Sequence, residues 1–214
     1  MYDVILFDLD GTLTDTGLGV TNAAAYALEQ YGITVLDRTE LERFVGPPLH
    51  ESFMRFYGFS EEQAFEAVEV YREYYRDKGL FENTIYNGME AVLKQLSEAG
   101  KTLLVATSKP EVFARRILEK LGIADYFTYI AGANLDGTRT KKAEVIAYVL
   151  REGGIEDGTK AVMVGDREYD IFGAREFGMD SIGVLFGYGS RGELEAAGAT
   201  YIAESVEDIW EICG

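Results

Sequence analysis

The chain has 214 residues, of which 47% are apolar and 27% charged, with three prolines. This length and composition predict a folded protein with one α/β domain of ordinary size, or a core with a small insert, and they exclude a largely disordered chain. The net charge of −17 predicts repulsion of nucleic-acid polymers, so we expect no such partner.

Two further features bear on the cellular setting. No apolar run approaches the roughly 18 residues of a membrane span, and acidic residues interrupt the N-terminal segment too early for a signal peptide. The single cysteine, Cys213, allows no intrachain disulfide and fits a reducing compartment. We therefore expect a cytoplasmic protein with no membrane partner.

The first predicted strand is the apolar run over residues 4–7, which ends at Asp8, Asp10, Gly11 and Thr12. Such a run suits a buried parallel strand, whose carboxyl end is where open α/β sheets place their ligands. One carboxylate there could attack phosphorus while the other transfers protons, and the backbone amides near the glycine could approach phosphoryl oxygens. The alternative interpretation is an ordinary Asp-Gly turn.

Residues 17–80 show helical spacing and no strand-like apolar run. Ser60 and Gln63 form a capping-box pattern, and Gly46-Pro47-Pro48 separates two of the helices. The predicted helices span residues 23–31, 49–57 and 60–78. We therefore predict a helical insert over residues 16–81, between two core segments at residues 1–15 and 82–214.

From about residue 82, strands and helices alternate. The predicted strands span residues 102–106, 126–131, 161–164, 181–186 and 200–203. The predicted helices span residues 88–99, 110–121, 142–150, 170–177, 193–197 and 206–212. This alternation predicts an α/β fold with a three-layer, Rossmann-like parallel-sheet core.

Three predicted strands end in reactive side chains. The first ends at Asp8 and Asp10, the second at residues 107–109 (Thr-Ser-Lys), and a later one at residues 165–170 (Gly-Asp-Arg-Glu-Tyr-Asp). Because parallel strands bring their carboxyl ends to one edge of the sheet, we expect these side chains to meet.

Three of these carboxylates could hold a hard divalent cation. Asp8, Asp166 and Asp170 supply the oxygen ligands that Mg²⁺ prefers alongside water and substrate phosphate. The metal would offset the repulsion between Asp8 and an incoming phosphate dianion.

A hydroxyl from Thr107 and a lysine ammonium could stabilise charge on a phosphoryl group during transfer. Lys141 and Lys142 open a predicted helix, where a cation is unfavourable to the helix dipole, which hints at a purpose other than helix stability. The alternative is a solvated, charged helix start.

Taken together, these segments resemble the four motifs of the haloacid dehalogenase-like hydrolase superfamily. They are Asp-Leu-Asp-Gly-Thr-Leu at residues 8–13, Thr-Ser-Lys at 107–109, the helix-opening lysine, and Gly-Asp-x-x-x-Asp at 165–170. The helical insert resembles the small cap of the phosphoglycolate-phosphatase-like subfamily.

The resemblance implies a Mg²⁺-dependent phosphatase of small phosphate monoesters. Asp8 would become an aspartyl-phosphate, and Asp10 would be the general acid/base. The implied catalytic residues are Asp8, Asp10, Thr107 and Lys142. The implied phosphate-binding residues are Gly11, Thr12, Thr107, Ser108 and Lys142, and the implied metal ligands are Asp8, Asp10 (through its backbone carbonyl), Asp166 and Asp170.

The sequence departs from the family pattern at two places. Ser108 stands where relatives often have Asn, and Lys142 is followed by alanine where many relatives have proline. We favour Lys142 as the phosphate-binding lysine, with Lys141 as the alternative. The presence of Asp10 argues against dehalogenation, because that branch of the family generally lacks the second aspartate.

Two further sequence features are not assigned a catalytic role. Gly187–Gly192 matches G-x-G-x-x-G, but it lies too late in the chain for a dinucleotide fingerprint, so we interpret it as a flexible loop near the rim of the site. His50, the only histidine, is expected to have a structural or surface role.

The expected partner is a small phosphorylated metabolite: phosphoglycolate, a sugar phosphate or a nucleoside monophosphate. We expect a monomer or homodimer. A phosphomutase using the same aspartyl-phosphate, or a non-enzymatic phospho-acceptor or ligand-binding module, are the alternative functions.

Overall fold

A computed structural model describes residues 2–214 and divides the chain into two compact units. One unit contains the residues up to Asp15 together with Ile85–Gly214, and the other contains Thr16–Thr84. No helix in residues 2–214 is both long and apolar enough to cross a bilayer.

The strands and helices are numbered here in chain order. The strands are β1 (Val4–Phe7), β2 (Thr14–Asp15), β3 (Thr84–Ile85), β4 (Thr102–Pro110), β5 (Tyr129–Ala133), β6 (Ala161–Gly165), β7 (Asp180–Val184) and β8 (Tyr201–Ala203). The helices are α1 (Gly17–Gln30), α2 (Leu49–Tyr57), α3 (Glu61–Asp77), α4 (Met89–Glu98), α5 (Glu111–Lys120), α6 (Lys142–Glu152), α7 (Glu168–Glu176), α8 (Arg191–Ala197) and α9 (Glu207–Cys213).

The first unit is built on a six-stranded parallel sheet in the order β5-β4-β1-β6-β7-β8. All four residues of β1 are buried because the strand lies at the centre of the sheet. Phe7, its last residue, is in register with Val105 of β4 and Val164 of β6. The side chains at the carboxyl ends of these three strands are thereby brought to one edge, and the predicted α/β parallel-sheet fold is confirmed.

Helix α6 is held against the sheet by an apolar cluster. Val145, Ile146 and Val149 of the helix pack with Leu104 and Met163 of the strands, all of them buried. Burial of each such side chain contributes about 1.5–3 kcal/mol. This packing fixes the N-terminal end of α6, where Lys142 lies.

The second unit is helical. The predicted helix at residues 49–57 coincides with α2, and the predicted capping box precedes α3: Gln63 N donates to Ser60 Oγ at 3.2 Å, and Ser60 N donates to Gln63 Oε1 at 3.0 Å. The use of this unit as a cap stays a prediction.

Several element bounds differ from the sequence prediction. Helix α1 begins at Gly17, not residue 23, and Gly19 is needed there because a Cβ would lie 2.1 Å from the Gly79 carbonyl oxygen. Strand β5 begins at Tyr129 because a 3₁₀ turn occupies Ala124–Tyr126. Strand β4 continues to Pro110 through a register shift that follows Ala106.

Candidate active site

Asp8 lies where β1 ends. Its backbone N–H continues the sheet ladder to the Val164 carbonyl at 2.9 Å, and its Oδ1 accepts a hydrogen bond from Leu9 N at 2.8 Å. The side chain is buried and lies 2.9 Å from Lys142 Nζ. The carboxylate is therefore held in one orientation at the carboxyl edge of the sheet.

Asp8, Asp166 and Asp170 form a buried carboxylate cluster. Each offers an oxygen, and the three oxygens lie within 4.8 Å of one another. Within residues 2–214, Asp166 Oδ1 has no hydrogen-bond partner. Three clustered carboxylates that include an orphaned buried oxygen are a donor set that fits a hard divalent cation.

The surroundings of Asp166 and Asp170 favour the protonated form of these two carboxyl groups. Burial, followed by repulsion from Asp170 and Asp8, raises the pKa of Asp166 well above its ordinary value. Burial also raises the pKa of Asp170 to about 6, although Lys142 acts in the opposite direction. A bound cation would favour the ionised form of both groups.

Lys142 is the lysine that the structure brings to the cluster. Its Nζ lies 2.9 Å from Asp8 Oδ1 and 2.8 Å from Asp170 Oδ1, and it donates to the Ala106 carbonyl at 2.9 Å. Burial lowers the pKa of Lys142, but the Asp170 and Asp8 carboxylates together outweigh that effect and raise it. The neighbouring Lys141 is exposed.

The Thr-Ser-Lys segment of β4 also reaches this edge. Thr107 is buried and its Oγ1 accepts from Lys109 N at 3.2 Å, whereas Ser108 is half-buried. Lys109 Nζ lies 2.8 Å from Asp10 Oδ2. Sequence reasoning gave Lys109 no role, although its place beside Thr107 at a strand end was a usable signal.

Gly11 and Thr12 form a tight turn beside the cluster. Gly11 has φ 80°, and a Cβ there would lie 2.2 Å from Asp166 Oδ2. The amide of Gly11 donates to the Thr14 carbonyl at 2.8 Å, and that of Thr12 donates to the Leu9 carbonyl at 3.3 Å. Both amides are thus engaged within the turn, and phosphate binding by these two residues stays a prediction.

The loop Gly187–Gly192 supports Asp166. Tyr188 N donates to Asp166 Oδ2 at 2.8 Å. A Cβ on Gly187 would lie 2.2 Å from the Gly11 carbonyl oxygen, and a Cβ on Gly189 would lie 1.8 Å from the Asp166 carbonyl oxygen. The first two glycines of the motif therefore serve close packing, which differs from the flexible rim loop that the sequence indicates.

Glu193 of α8 stabilises the turn between Asp166 and Asp170. Its Oε1 lies 2.8 Å from Arg167 Nε and accepts from Glu168 N at 3.0 Å. Asp170 Oδ2 in turn accepts from Arg167 N at 3.1 Å, which lets α7 begin at Glu168, two residues before the predicted start. Sequence reasoning missed Glu193 because it lies more than 20 positions from these partners.

Arg139 and His50 both make structural contacts. Arg139 pairs with Glu111 at 3.0 Å, and its guanidinium lies 3.7 Å from the centroid of the Tyr148 ring, so it anchors the loop before α6. His50, in the second unit, stacks on Phe65 with ring centroids 5.3 Å apart.

Comparison with known proteins identifies the family. The sequence model of the haloacid dehalogenase-like hydrolase family matches residues 5–184 of this chain. A 5'-nucleotidase of Pseudomonas aeruginosa is 46% identical over 99% of this chain and 95% of its own length. The tyrosine-protein kinase PtkA of Mycobacterium tuberculosis is 38% identical over 99% of this chain and 72% of its own length.

A solved structure agrees with this assignment. The crystal structure of a predicted phosphatase from Clostridium acetobutylicum superposes with a TM-score of 0.94 at 47% identity, covering 99% of this chain and 98% of that one. The chain therefore belongs to the haloacid dehalogenase-like hydrolase family. Within that family, the similarities support a phosphatase, and the buried aspartate cluster fits a metal ion.

Proposed function

We propose that the protein hydrolyses small phosphate monoesters with Mg²⁺, through an aspartyl-phosphate on Asp8. The observation that carries this proposal is the buried cluster of Asp8, Asp166 and Asp170 with the Lys142 ammonium 2.9 Å from Asp8 Oδ1. It combines a positioned nucleophile, a cation site and a fixed positive charge at one sheet edge.

The metal would be held by the three clustered carboxylates together with the backbone carbonyl of Asp10. When bound, Mg²⁺ would neutralise part of the charge on Asp8 and polarise a phosphoryl oxygen. Mg²⁺ is favoured because all of these ligands are oxygens and the ion keeps water and substrate phosphate as its remaining ligands.

In the first step, an Asp8 carboxylate oxygen attacks phosphorus while the bond from phosphorus to the leaving oxygen breaks. Asp10 gives its proton to that oxygen, and the alcohol departs. In the second step, water attacks the phosphorus of the aspartyl-phosphate while Asp10 takes up a proton, so that inorganic phosphate leaves and Asp8 is regenerated. Thr107 and Lys142 would bind the phosphoryl oxygens through both steps.

Nucleoside 5'-monophosphates are the first substrates to test, because the 46% identical relative is a 5'-nucleotidase. Phosphoglycolate and sugar phosphates complete the panel. The net negative charge would repel an anionic polymer along its whole length. A small anionic substrate needs only one local positive centre, so it is the better match for this protein.

The test is phosphate release from this panel with Mg²⁺ or EDTA, comparing the parent with Asp8→Asn. Asp3→Asn is the matched control, because it makes the same chemical change at an exposed residue. We expect Asp8→Asn to lower kcat by at least about 10³-fold and Asp3→Asn to have no effect. A folded parent that releases no phosphate from any monoester would overturn the proposal, and a phospho-enzyme that hydrolyses only slowly without an added sugar would instead indicate a phosphomutase.

A further inference from the structure

The structure gives each aspartate of the first motif its own buried lysine. Among residues 2–214, the buried lysines are Lys109 and Lys142. Lys142 contacts Asp8, and Lys109 Nζ lies 2.8 Å from Asp10 Oδ2. The side chains of this second pair are only 6% and 17% exposed.

Stability alone is a poor reason for such a pair. Removing an ammonium and a carboxylate from water costs several kcal/mol for each ion, and their mutual attraction often no more than offsets this cost. Lys109 is itself a buried residue of β4, and an apolar side chain at that position would carry no such penalty. The pair is therefore better explained by what it does to Asp10.

The contact distinguishes the two oxygens of Asp10. The Lys109 ammonium contacts Oδ2, whereas Oδ1 is buried and has no hydrogen-bond partner within the described part of the chain. The backbone N–H of Lys109 meanwhile donates to Thr107 Oγ1 at 3.2 Å. One residue thus contacts both the acid/base carboxylate and the hydroxyl predicted to bind phosphate.

We infer that Lys109 is a positioning residue for Asp10. It holds the carboxyl group through Oδ2, so that Oδ1 carries the proton that passes to the leaving oxygen as the bond from phosphorus to that oxygen breaks. In the second step, Oδ1 takes a proton from the attacking water. This inference rests on the proposed function, because it assigns Lys109 a part in that reaction.

The test uses two substrates that need a proton to different extents. An alkyl monoester, such as a nucleoside 5'-monophosphate, has a poor leaving group and depends on Asp10, whereas p-nitrophenyl phosphate releases a stabilised phenolate and depends on it little. The parameter measured is kcat/KM, which covers the steps up to phosphoryl transfer to Asp8. We expect Lys109→Met to lower it by about 10- to 100-fold for the alkyl ester and by less than about 3-fold for the aryl ester.

A double-mutant cycle separates action through Asp10 from independent action. We expect Lys109→Met to cause no further loss of kcat/KM in an Asp10→Asn background, because the group that it positions is already disabled. Lys109→Arg should recover most of the activity toward the alkyl ester. Lys160→Met, at an exposed lysine, is the matched control and should match the parent.

Equal losses for both substrates, or additive losses in the cycle, would overturn the inference. A thermal melt of each variant identifies folding failure. If Lys109→Met does not fold, Lys109→Gln replaces it in the same two comparisons. The alkyl ester is the best substrate of the panel. A folded parent inactive on every monoester of the panel and on p-nitrophenyl phosphate would overturn the proposed function and this inference together, whereas an active parent with equal losses overturns the inference alone.

Discussion

Lys142 Nζ lies 2.9 Å from Asp8 Oδ1, and the same ammonium lies 2.8 Å from Asp170 Oδ1. One positive charge thus bridges the proposed nucleophile and a proposed metal ligand. The cluster also contains Asp166, so this ammonium contacts two of three neighbouring carboxylates. The imbalance explains why the cluster suits a divalent cation.

Lys142→Met should lower kcat/KM for phosphate monoesters by about 10²- to 10³-fold, because a buried ammonium that would bind the phosphoryl oxygens is lost. It should also lower the free energy of unfolding of the metal-free protein by about 3 kcal/mol, because two buried carboxylates lose their ion-pair partner. Steady-state kinetics and urea unfolding in EDTA measure the two effects.

The matched control is Lys141→Met. This side chain is exposed one position earlier, so the same substitution should leave kcat/KM unchanged and change the stability by less than about 0.5 kcal/mol. The reverse pattern, with activity lost on substitution of Lys141 only, would move the phosphate-binding role to that residue.

Mg²⁺ should raise the melting temperature of the parent. Binding to the folded state alone stabilises by about 2.7 kcal/mol when the free metal is 100-fold above its Kd. Asp166→Asn removes one of the three clustered oxygens and should abolish the increase, whereas Asp3→Asn should keep it. Calorimetry without substrate makes this test independent of activity, and an undiminished increase in Asp166→Asn would contradict the proposed ligand set.

The metal-free protein should lose stability as pH rises from about 4 to about 6. Burial raises the pKa of folded Asp170 to about 6, whereas an unfolded aspartate titrates near about 4. The folded state therefore binds more protons in this window, and the stabilisation is fully present below about pH 4 and lost as pH rises through about 6.

The part of this loss due to Asp170 is about 3 kcal/mol, and urea unfolding in EDTA across this pH range would measure the total. Asp170→Asn should make the loss smaller, since the substituted side chain does not titrate, while Asp166, whose pKa burial also raises, still contributes. A parent whose stability does not fall in this window would show that Asp170 is ionised in the metal-free protein despite its burial.

Local patterns in the sequence were sufficient to predict much of the fold. The apolar run at residues 4–7 coincides with β1, and the strand and helix alternation after residue 82 correctly predicted a parallel sheet. Two-residue strands such as β2 are too short to leave a periodic pattern. The glycines at the start of α1 hid that helix end, because their low helix propensity is overridden by close packing on Gly79.

The site was partly predictable for the same reason. Strand ends can be read from a sequence, so residues of three strand ends could be expected to meet, and the structure places Asp8, Lys142 and Asp166 together. Contacts between residues distant in sequence leave no local pattern. The pairing of Lys109 with Asp10 and the hydrogen bond from Tyr188 N to Asp166 are of this kind.

Gly189→Ala should weaken the contacts that hold the Asp166 side chain in place. The new Cβ would lie 1.8 Å from the Asp166 carbonyl oxygen, so the backbone must move and the hydrogen bond from Tyr188 N to Asp166 Oδ2 must weaken. We expect about 10-fold weaker Mg²⁺ binding by calorimetry, together with a lower melting temperature.

Gly192→Ala is the control within the same loop. A Cβ there meets no described atom within 4 Å, and the residue lies in the first turn of α8, where alanine is the better helix former. It should keep the parent affinity for Mg²⁺ and raise stability by up to about 1 kcal/mol. Equal metal affinities in the two variants would remove the argument that close packing of this loop positions Asp166.

Glu193→Gln should weaken Mg²⁺ binding without touching a metal ligand. The Glu193 carboxylate contacts Arg167 Nε at 2.8 Å and accepts from Glu168 N at 3.0 Å, on the turn that joins Asp166 to Asp170. The amide of glutamine keeps the shape but loses the charge, so both contacts weaken and the turn is held less firmly. Outer hydrogen-bond partners of this kind typically change metal affinity by about 10- to 100-fold.

Glu195→Gln tests whether charge alone accounts for that loss. Glu195 lies two positions further along α8, is exposed, and makes only a 3.5 Å contact with Arg191 among the contacts described. Both substitutions remove one negative charge from the same helix, so a general field effect on a cation would weaken binding comparably in both. If bracing of the turn is the cause, Glu193→Gln lowers the calorimetric affinity and Glu195→Gln does not.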